Sequence, residues 1–173
     1  MVKPLALSLP YPTAVGIEKN LKHASRLSFL YAGKHGELNA TLQYVYQYFY
    51  FNEFGEWEIA KTLMGIAVAE MRHLELLGEL ILALGQSPVF AECLPYRCDF
   101  YSSSCVSYST NAEKMLLDDI SGEMLAVSDY ERAIKDISDQ RVQAILTRIK
   151  LDEELHVKAL RDALSKINSK RKQ

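Results

Sequence analysis

A chain of 173 residues with 49% apolar residues and a formal charge of -2 is long enough to bury a substantial core, and one domain is the simplest organisation. That balance is too acidic for a nucleic-acid partner, and the basic tail "SKRKQ" reads as a frayed, solvated terminus. No run approaches the ~20 apolar residues of a membrane span, and the apolar run near the start is too short for a signal-peptide core, so a cytoplasmic protein with no membrane attachment is expected.

Residues 1–16 hold three prolines and are expected to form an extended arm. A helical pattern from Ile17 to Tyr31 is interrupted by "AGKHG", and a second helix is expected from about Gly36 to Phe54. After the turn "FNEFGEW" a long helix runs from about Glu56 to Leu84. Residues 86–111, rich in Pro, Ser, Tyr and Cys, read as the only long irregular segment. Two further helices, about Ala112 to Ile137 and Asp139 to Asn168, are divided by Ser138-Asp139, a good helix-start signal. No segment alternates like a strand over a useful length, so the fold class is all-α.

Short links make two antiparallel helix pairs. The 26-residue segment between them is long for a structureless loop. At ~3.3 Å per residue it can run back along a helix ~40 Å long, as a crossover in a four-helix bundle does. Cys93, Cys98 and Cys105 all fall in this segment, at spacings that fit neither CxxC nor a zinc ribbon. Free thiols in a reducing compartment are expected; a disulfide is allowed but not implied.

The long helix carries a fault. Its apolar stripe runs Ile59, Leu63, Ile66 and resumes at Leu77, Leu80 and Leu84, and the positions that complete it are Glu70 and His73. The last helix repeats this: Val142, Leu146, Ile149, then Glu153 and His156, then Leu160, Ala163 and Ile167. Residues three apart share a helix face, so both Glu-x-x-His pairs point at the core. The other two helices each add one glutamate to an apolar stripe, Glu37 and Glu123. Glu37 to Glu123 spans 86 residues, and the two Glu-x-x-His pairs are 83 apart, so the halves match. Tyr44 and Tyr130 each follow a lone glutamate by seven residues; they either reach the site or pack as core aromatics.

Glutamate is almost never fully buried without a partner, and four carboxylates converging in a bundle need compensation. Two divalent cations supply it, and the mixed oxygen and nitrogen ligand set suits iron or manganese. One Glu from each of two helices and Glu-x-x-His from each of the other two is the di-metal carboxylate pattern.

With those residues, roughly 20–168 of the chain resembles the ferritin-like superfamily, alongside bacterioferritins, rubrerythrins and manganese catalases. The resemblance implies a four-helix bundle whose metal ligands are Glu37, Glu70, His73, Glu123, Glu153 and His156, with Glu70 and Glu153 bridging two Fe or two Mn ions. Asp152 matches a family aspartate that orients His73, while its counterpart on the second long helix is Ala69. Glu154 falls off the stripe, Glu75 and Glu79 read as solvated surface, and His23 and His35 lie outside the pattern. The "EMRH" wording resembles bacterioferritin, in which the methionine after the bridging glutamate can ligate a shared haem. Met71 holds that place, although a surface or interface methionine is the reading favoured here.

Only seventeen residues follow His156, which argues against a fifth helix and an iron-storing shell. Ala126 stands where rubrerythrins have a glutamate, and no Cys₄ rubredoxin set is present. "AGKHGELNATLQYVYQYF" resembles the first-ligand helix of manganese catalases, whereas the Glu-x-x-His of the last helix looks more like a di-iron site. The implied function is a redox reaction with hydrogen peroxide or dioxygen, of peroxidase or catalase type. An iron version would need an external electron donor such as a rubredoxin. The alternative is an iron-binding protein that only sequesters metal. A homodimer or small homo-oligomer is expected from the aromatic-rich "YVYQYFYF".

Overall fold

A computed structural model describes residues 2–94 and 97–170. After the arm come α1 (Leu21–Ala32), α2 (Glu37–Glu53), α3 (Trp57–Ala83), the short strands β1 (Ala91–Leu94) and β2 (Arg97–Phe100), a 3-10 turn (Ser103–Cys105), α4 (Ala112–Asp136) and α5 (Gln140–Lys170). α2 packs on α3 and α4 on α5, which gives the two expected hairpins. Gly55, at φ 75, makes the tight reversal between α2 and α3, a backbone region that side chains disfavour.

Local chemistry sets where the helices start and stop. α1 begins later than its apolar pattern suggests, because Asn20 caps it by accepting from the His23 N–H (3.1 Å). Asp139 caps α5 in the same way, accepting from the Arg141 N–H (2.9 Å). Gly85, at φ 96, ends α3.

Two apolar clusters fill the bundle. One joins Leu76, Leu77, Leu80 and Ile81 of α3 to Val142, Ile145, Leu146 and Ile149 of α5, with α1 laid against them. The other joins Ile59, Leu63 and Ile66 to Met115 and Leu116 of α4 and to Leu160 and Ala163. α3 ends in the first cluster and α4 starts in the second, so the crossover does travel the length of the bundle. Between the clusters lies a polar layer containing the residues that interrupt both stripes.

Two expectations for the crossover are corrected. It contains an antiparallel hairpin, β1 against β2, whose four-residue strands are too short to show alternation. Its tip, residues 95–96, lies outside the described residues. Cys93 and Cys98 are directly opposed in this ladder and form a disulfide, so they are not free thiols; only Cys105 remains free. Opposed positions bring two side chains within bonding reach, which sequence spacing alone does not reveal. Ser28 pins the hairpin to α1, accepting from the Cys93 N–H (2.8 Å) and donating to its carbonyl (3.2 Å).

Thiol titration of the unreduced, denatured chain should therefore count one cysteine, rising to three after reduction. Closing so short a loop contributes about 2 kcal/mol. A Cys93→Ser, Cys98→Ser variant should melt a few degrees lower, and three thiols before reduction would contradict the pairing.

Candidate metal centre

The six expected ligands meet in the polar layer, and all six are buried. Glu37 opens α2 and Glu123 sits mid-way along α4. Glu70 and His73 lie on α3, Glu153 and His156 on α5. One atom from each of Glu37, Glu70, His73 and Glu153 lies within 4.8 Å of the others, and the same holds for Glu70, Glu123, Glu153 and His156. The shared members are Glu70 and Glu153, so two ion positions would be bridged by these two carboxylates and capped by one imidazole each. The histidine rings face one another at 5.9 Å, nearly parallel.

Apart from the His73 Nδ1–Glu70 Oε2 hydrogen bond, the atoms that converge have no ordinary hydrogen-bonding reason to do so. His73 Nδ1 lies 2.9 Å from both Glu70 Oε2 and Glu153 Oε1, and His156 Nδ1 lies 3.0 Å from Glu70 Oε1. Yet Glu70 Oε1, Glu123 Oε2, Glu153 Oε1 and His156 Nδ1 are buried without a hydrogen-bond partner. On the far side of each ring the proton is accounted for. His156 Nε2 donates to the Leu5 carbonyl (2.8 Å), and His73 Nε2 donates to Asp152 Oδ2 (3.2 Å). A carbonyl can only accept, which fixes the proton of His156 on Nε2 and leaves Nδ1 as a bare lone pair in the neutral ring. Lone pairs aimed at lone pairs repel unless a cation or a proton lies between them, and two divalent ions fit this donor set.

Without metal, protons supply the compensation. Burial, reinforced by the Glu70 and Glu153 charges, pushes the Glu37 and Glu123 carboxyls well above the carboxylate range. Burial also opposes the charged forms of Glu70, Glu153, His73 and His156. At these four the opposite charges outweigh it, holding both carboxyls low and both imidazoles high.

Both tyrosines reach the layer, and they cross over. Tyr44 donates to Glu123 and Tyr130 to Glu37, so each phenol holds the lone glutamate of the opposite hairpin. Burial, then the adjacent carboxylate, keeps both phenols protonated.

The arm closes the histidine side, a role that proline content did not reveal. Leu5 donates its N–H to the Gly65 carbonyl (2.9 Å), and a Cβ at Gly65 would meet Leu5 and the Lys3 carbonyl at 3.4 Å. The glycine lets the arm lie close on α3. Asp152 receives the Leu7 N–H (2.8 Å), the Tyr11 hydroxyl (2.6 Å) and an ion pair from Arg148 (2.7 Å). Arg148 also donates to the Leu7 (2.7 Å) and Leu9 (3.1 Å) carbonyls and lies over the Tyr11 ring. Burial opposes the Asp152 charge, but His73, Arg148, Tyr11 and Leu7 outweigh it and hold this carboxyl far below its usual range. Ala69 stands where a matching aspartate would be, so the aspartate support is one-sided as the sequence implies, and His156 has the Leu5 carbonyl instead. The spacing of Arg148 four before Asp152 was the available signal.

Of the other residues considered, Met71 is 48% exposed on α3, and Glu75, Glu79 and Glu154 are exposed. His23 and His35 do not join the ligand cluster. On the side away from the arm, a cavity of about 260 Å³ between α2 and α4 reaches Glu37, Glu123 and Glu153.

With this geometry in hand, the comparisons are direct. The ferritin-like domain profile matches residues 33–170, and the chain belongs to the ferritin-like family. Two crystal structures of KatB, a manganese catalase from Anabaena, superpose with a TM-score of 0.82 at 26% identity, covering 94% of this chain and 80% of that one. Bacterioferritin from Desulfovibrio desulfuricans, whose structure describes a diiron site, superposes at 0.72 with 22% identity over 86% of this chain and 81% of that one, a likeness of fold. No curated protein sequence matches the chain. Among the described residues no helix is long and apolar enough to cross a membrane.

Removing the anion behind one imidazole should affect one ion position more than the other. Asp152→Asn is expected to weaken one of two metal-binding steps about 10- to 100-fold and to spare the other. A calorimetric manganese titration showing both steps unchanged would contradict that role for Asp152.

Proposed function

We propose that this chain is a manganese catalase, converting two hydrogen peroxide molecules to dioxygen and two waters at a dinuclear site. The observation that carries the reading is the pair of four-residue ligand sets sharing Glu70 and Glu153. The 26% identity to a manganese catalase over nearly the whole chain supports manganese rather than iron.

In this reading Glu37 and His73 hold one ion, Glu123 and His156 the other, and Glu70 and Glu153 bridge them. When bound, the pair supplies a reversible two-electron couple, so peroxide serves as both oxidant and reductant and no donor protein is needed. The chain's own residues do the rest. Tyr44 and Tyr130 steady the lone glutamates by donating to one oxygen of each. The Leu5 carbonyl of the arm and Asp152 of α5 fix the protons on the outer nitrogens of His156 and His73, and the arm covers that side. The cavity between α2 and α4 admits a molecule as small as peroxide.

Protein loaded with manganese should evolve one dioxygen for every two peroxides over many turnovers, with no added donor. Glu70→Ala and Glu153→Ala should bind fewer than two ions and lose this activity. Iron-loaded protein that turns over only with a donor such as a rubredoxin would instead indicate a peroxidase. Protein that stops after filling with iron would indicate sequestration.

Phe49 is 62% and Trp57 71% exposed, and Leu42 and Phe54 of the same hairpin are exposed too, which supports a homodimer or small homo-oligomer. Light scattering should give two to a few chains per particle; a monomer or a 24-chain shell would refute this.

A further inference from the structure

The cavity contains another buried acid that the ligand set does not use. Asp119 lies one turn before Glu123 on α4, on the same helix face, and is 1% exposed. Its Oδ1 accepts from the side-chain amides of Gln43 (2.7 Å) and Gln47 (2.8 Å) of α2. Its Oδ2 has no partner. Asp119 lines the cavity with half-buried Ser107 and Asp118 and with fully buried Tyr44, Glu123 and Glu153. It therefore stands on the path between solvent and the candidate metal centre.

A structural role accounts poorly for this arrangement. Leaving a buried carboxylate oxygen unpaired costs about 1–3 kcal/mol or more, and an apolar side chain would avoid that. A further cation site is also disfavoured. Among the described residues, no cluster of three or more ligating groups includes Asp119. What remains is proton exchange. Burial raises its carboxyl to about 7, with Asp118 adding to the rise and the two amides opposing it. The other titratable groups round the cavity are Asp118, Glu37, Glu123, Glu153, Tyr44, Tyr130, His35 and Cys105. Of these, Asp118 is tied to Lys114 and Ser107, and Tyr44 stays protonated.

We propose that Asp119 is a proton-exchanging residue for the peroxide reaction, an inference that rests on the catalase reading. Oxidising one peroxide to dioxygen releases two protons and two electrons. Reducing a second peroxide to two waters, with cleavage of its O–O bond, consumes two protons and two electrons. The two electrons would be held between the halves by the metal pair that the ligand set would bind. The Asp119 carboxylate takes one proton in the first half and returns it in the second, while the other proton exchanges with solvent through the cavity.

The test uses Asp119→Asn, which keeps the Oδ1 acceptor, and Gln47→Leu, which removes one amide. Infrared spectra of the metal-free chain should show a carboxyl band, absent in Asp119→Asn, that titrates near neutral pH. Asp119→Asn should still bind two manganese ions, turn over about a hundredfold more slowly, lose the pH dependence centred near neutrality, and recover in part with a small added carboxylic acid. Gln47→Leu should move the infrared midpoint and the rate profile upward together. Asp119→Asn with wild-type turnover, or with no such band missing, overturns the inference while leaving the catalase reading intact. Loss of a third metal ion in that variant would make Asp119 a cation ligand and likewise overturn it. If the loaded wild-type chain consumes no peroxide, both readings fall.

Discussion

Six ionisable side chains share one buried layer of this bundle, and the rest of the molecule is arranged round the need to neutralise them. A buried ion loses several kcal/mol of hydration even after the protein relaxes, while a whole domain is stable by only about 5–15 kcal/mol. Four uncompensated carboxylates would therefore exceed the whole net stability of such a domain. The metal-free layer meets this with protons: Glu37 and Glu123 are driven towards the neutral acid, and Glu70 and Glu153 stay ionised beside the imidazoles. Two divalent ions would balance the same layer with all four carboxylates ionised.

That requirement gives the bundle two unlike sides. On the α3 and α5 side, the arm supplies a carbonyl, an N–H and a phenol at the outer edges of both histidines, and buried Arg148 fastens the arm by its own carbonyls. On the α2 and α4 side, the packing leaves the cavity, walled by small or polar side chains such as Gly36, Ala40, Ser121 and Gly122. Apolar burial keeps the layer together, hydrogen bonds close one side, and small residues open the other. Exchange with solvent is thereby directed towards the lone glutamates.

The parts of this legible in the sequence were those set by helical periodicity. Glutamate and histidine interrupting an apolar stripe in two matching places located the buried polar cluster, because a residue on that stripe must face the core whatever the details of packing. Contacts that join distant segments through the backbone were not legible. The Leu5 carbonyl that holds His156 would be supplied by almost any residue at that position, and the Cys93–Cys98 pairing depends on a register that four-residue strands do not advertise. The tyrosines lay between these cases. Their spacing placed them near a glutamate of their own hairpin, but a phenol two turns along reaches across the bundle, and each bonds the opposite glutamate. Asp119, four before Glu123, and the Gln43–Gln47 pair follow the same spacing rule as the ligands and could have been found by it.

The near-repeat of the two hairpins hides a difference that bears on redox chemistry. The ligand sets correspond one to one, but what stands behind the histidines does not. His73 donates to an aspartate held ionised by an arginine, a tyrosine and a backbone N–H, whereas His156 donates to a neutral carbonyl. An imidazole whose outer N–H faces a carboxylate is the more basic ligand and gives more electron density to whatever its inner nitrogen holds. Two ions held in this layer would therefore sit in unequal environments, the one beside His73 receiving the stronger donor. The asymmetry comes wholly from outside the ligand set: Asp152 on α5 where α3 has Ala69, and one stretch of arm laid across α3 and α5.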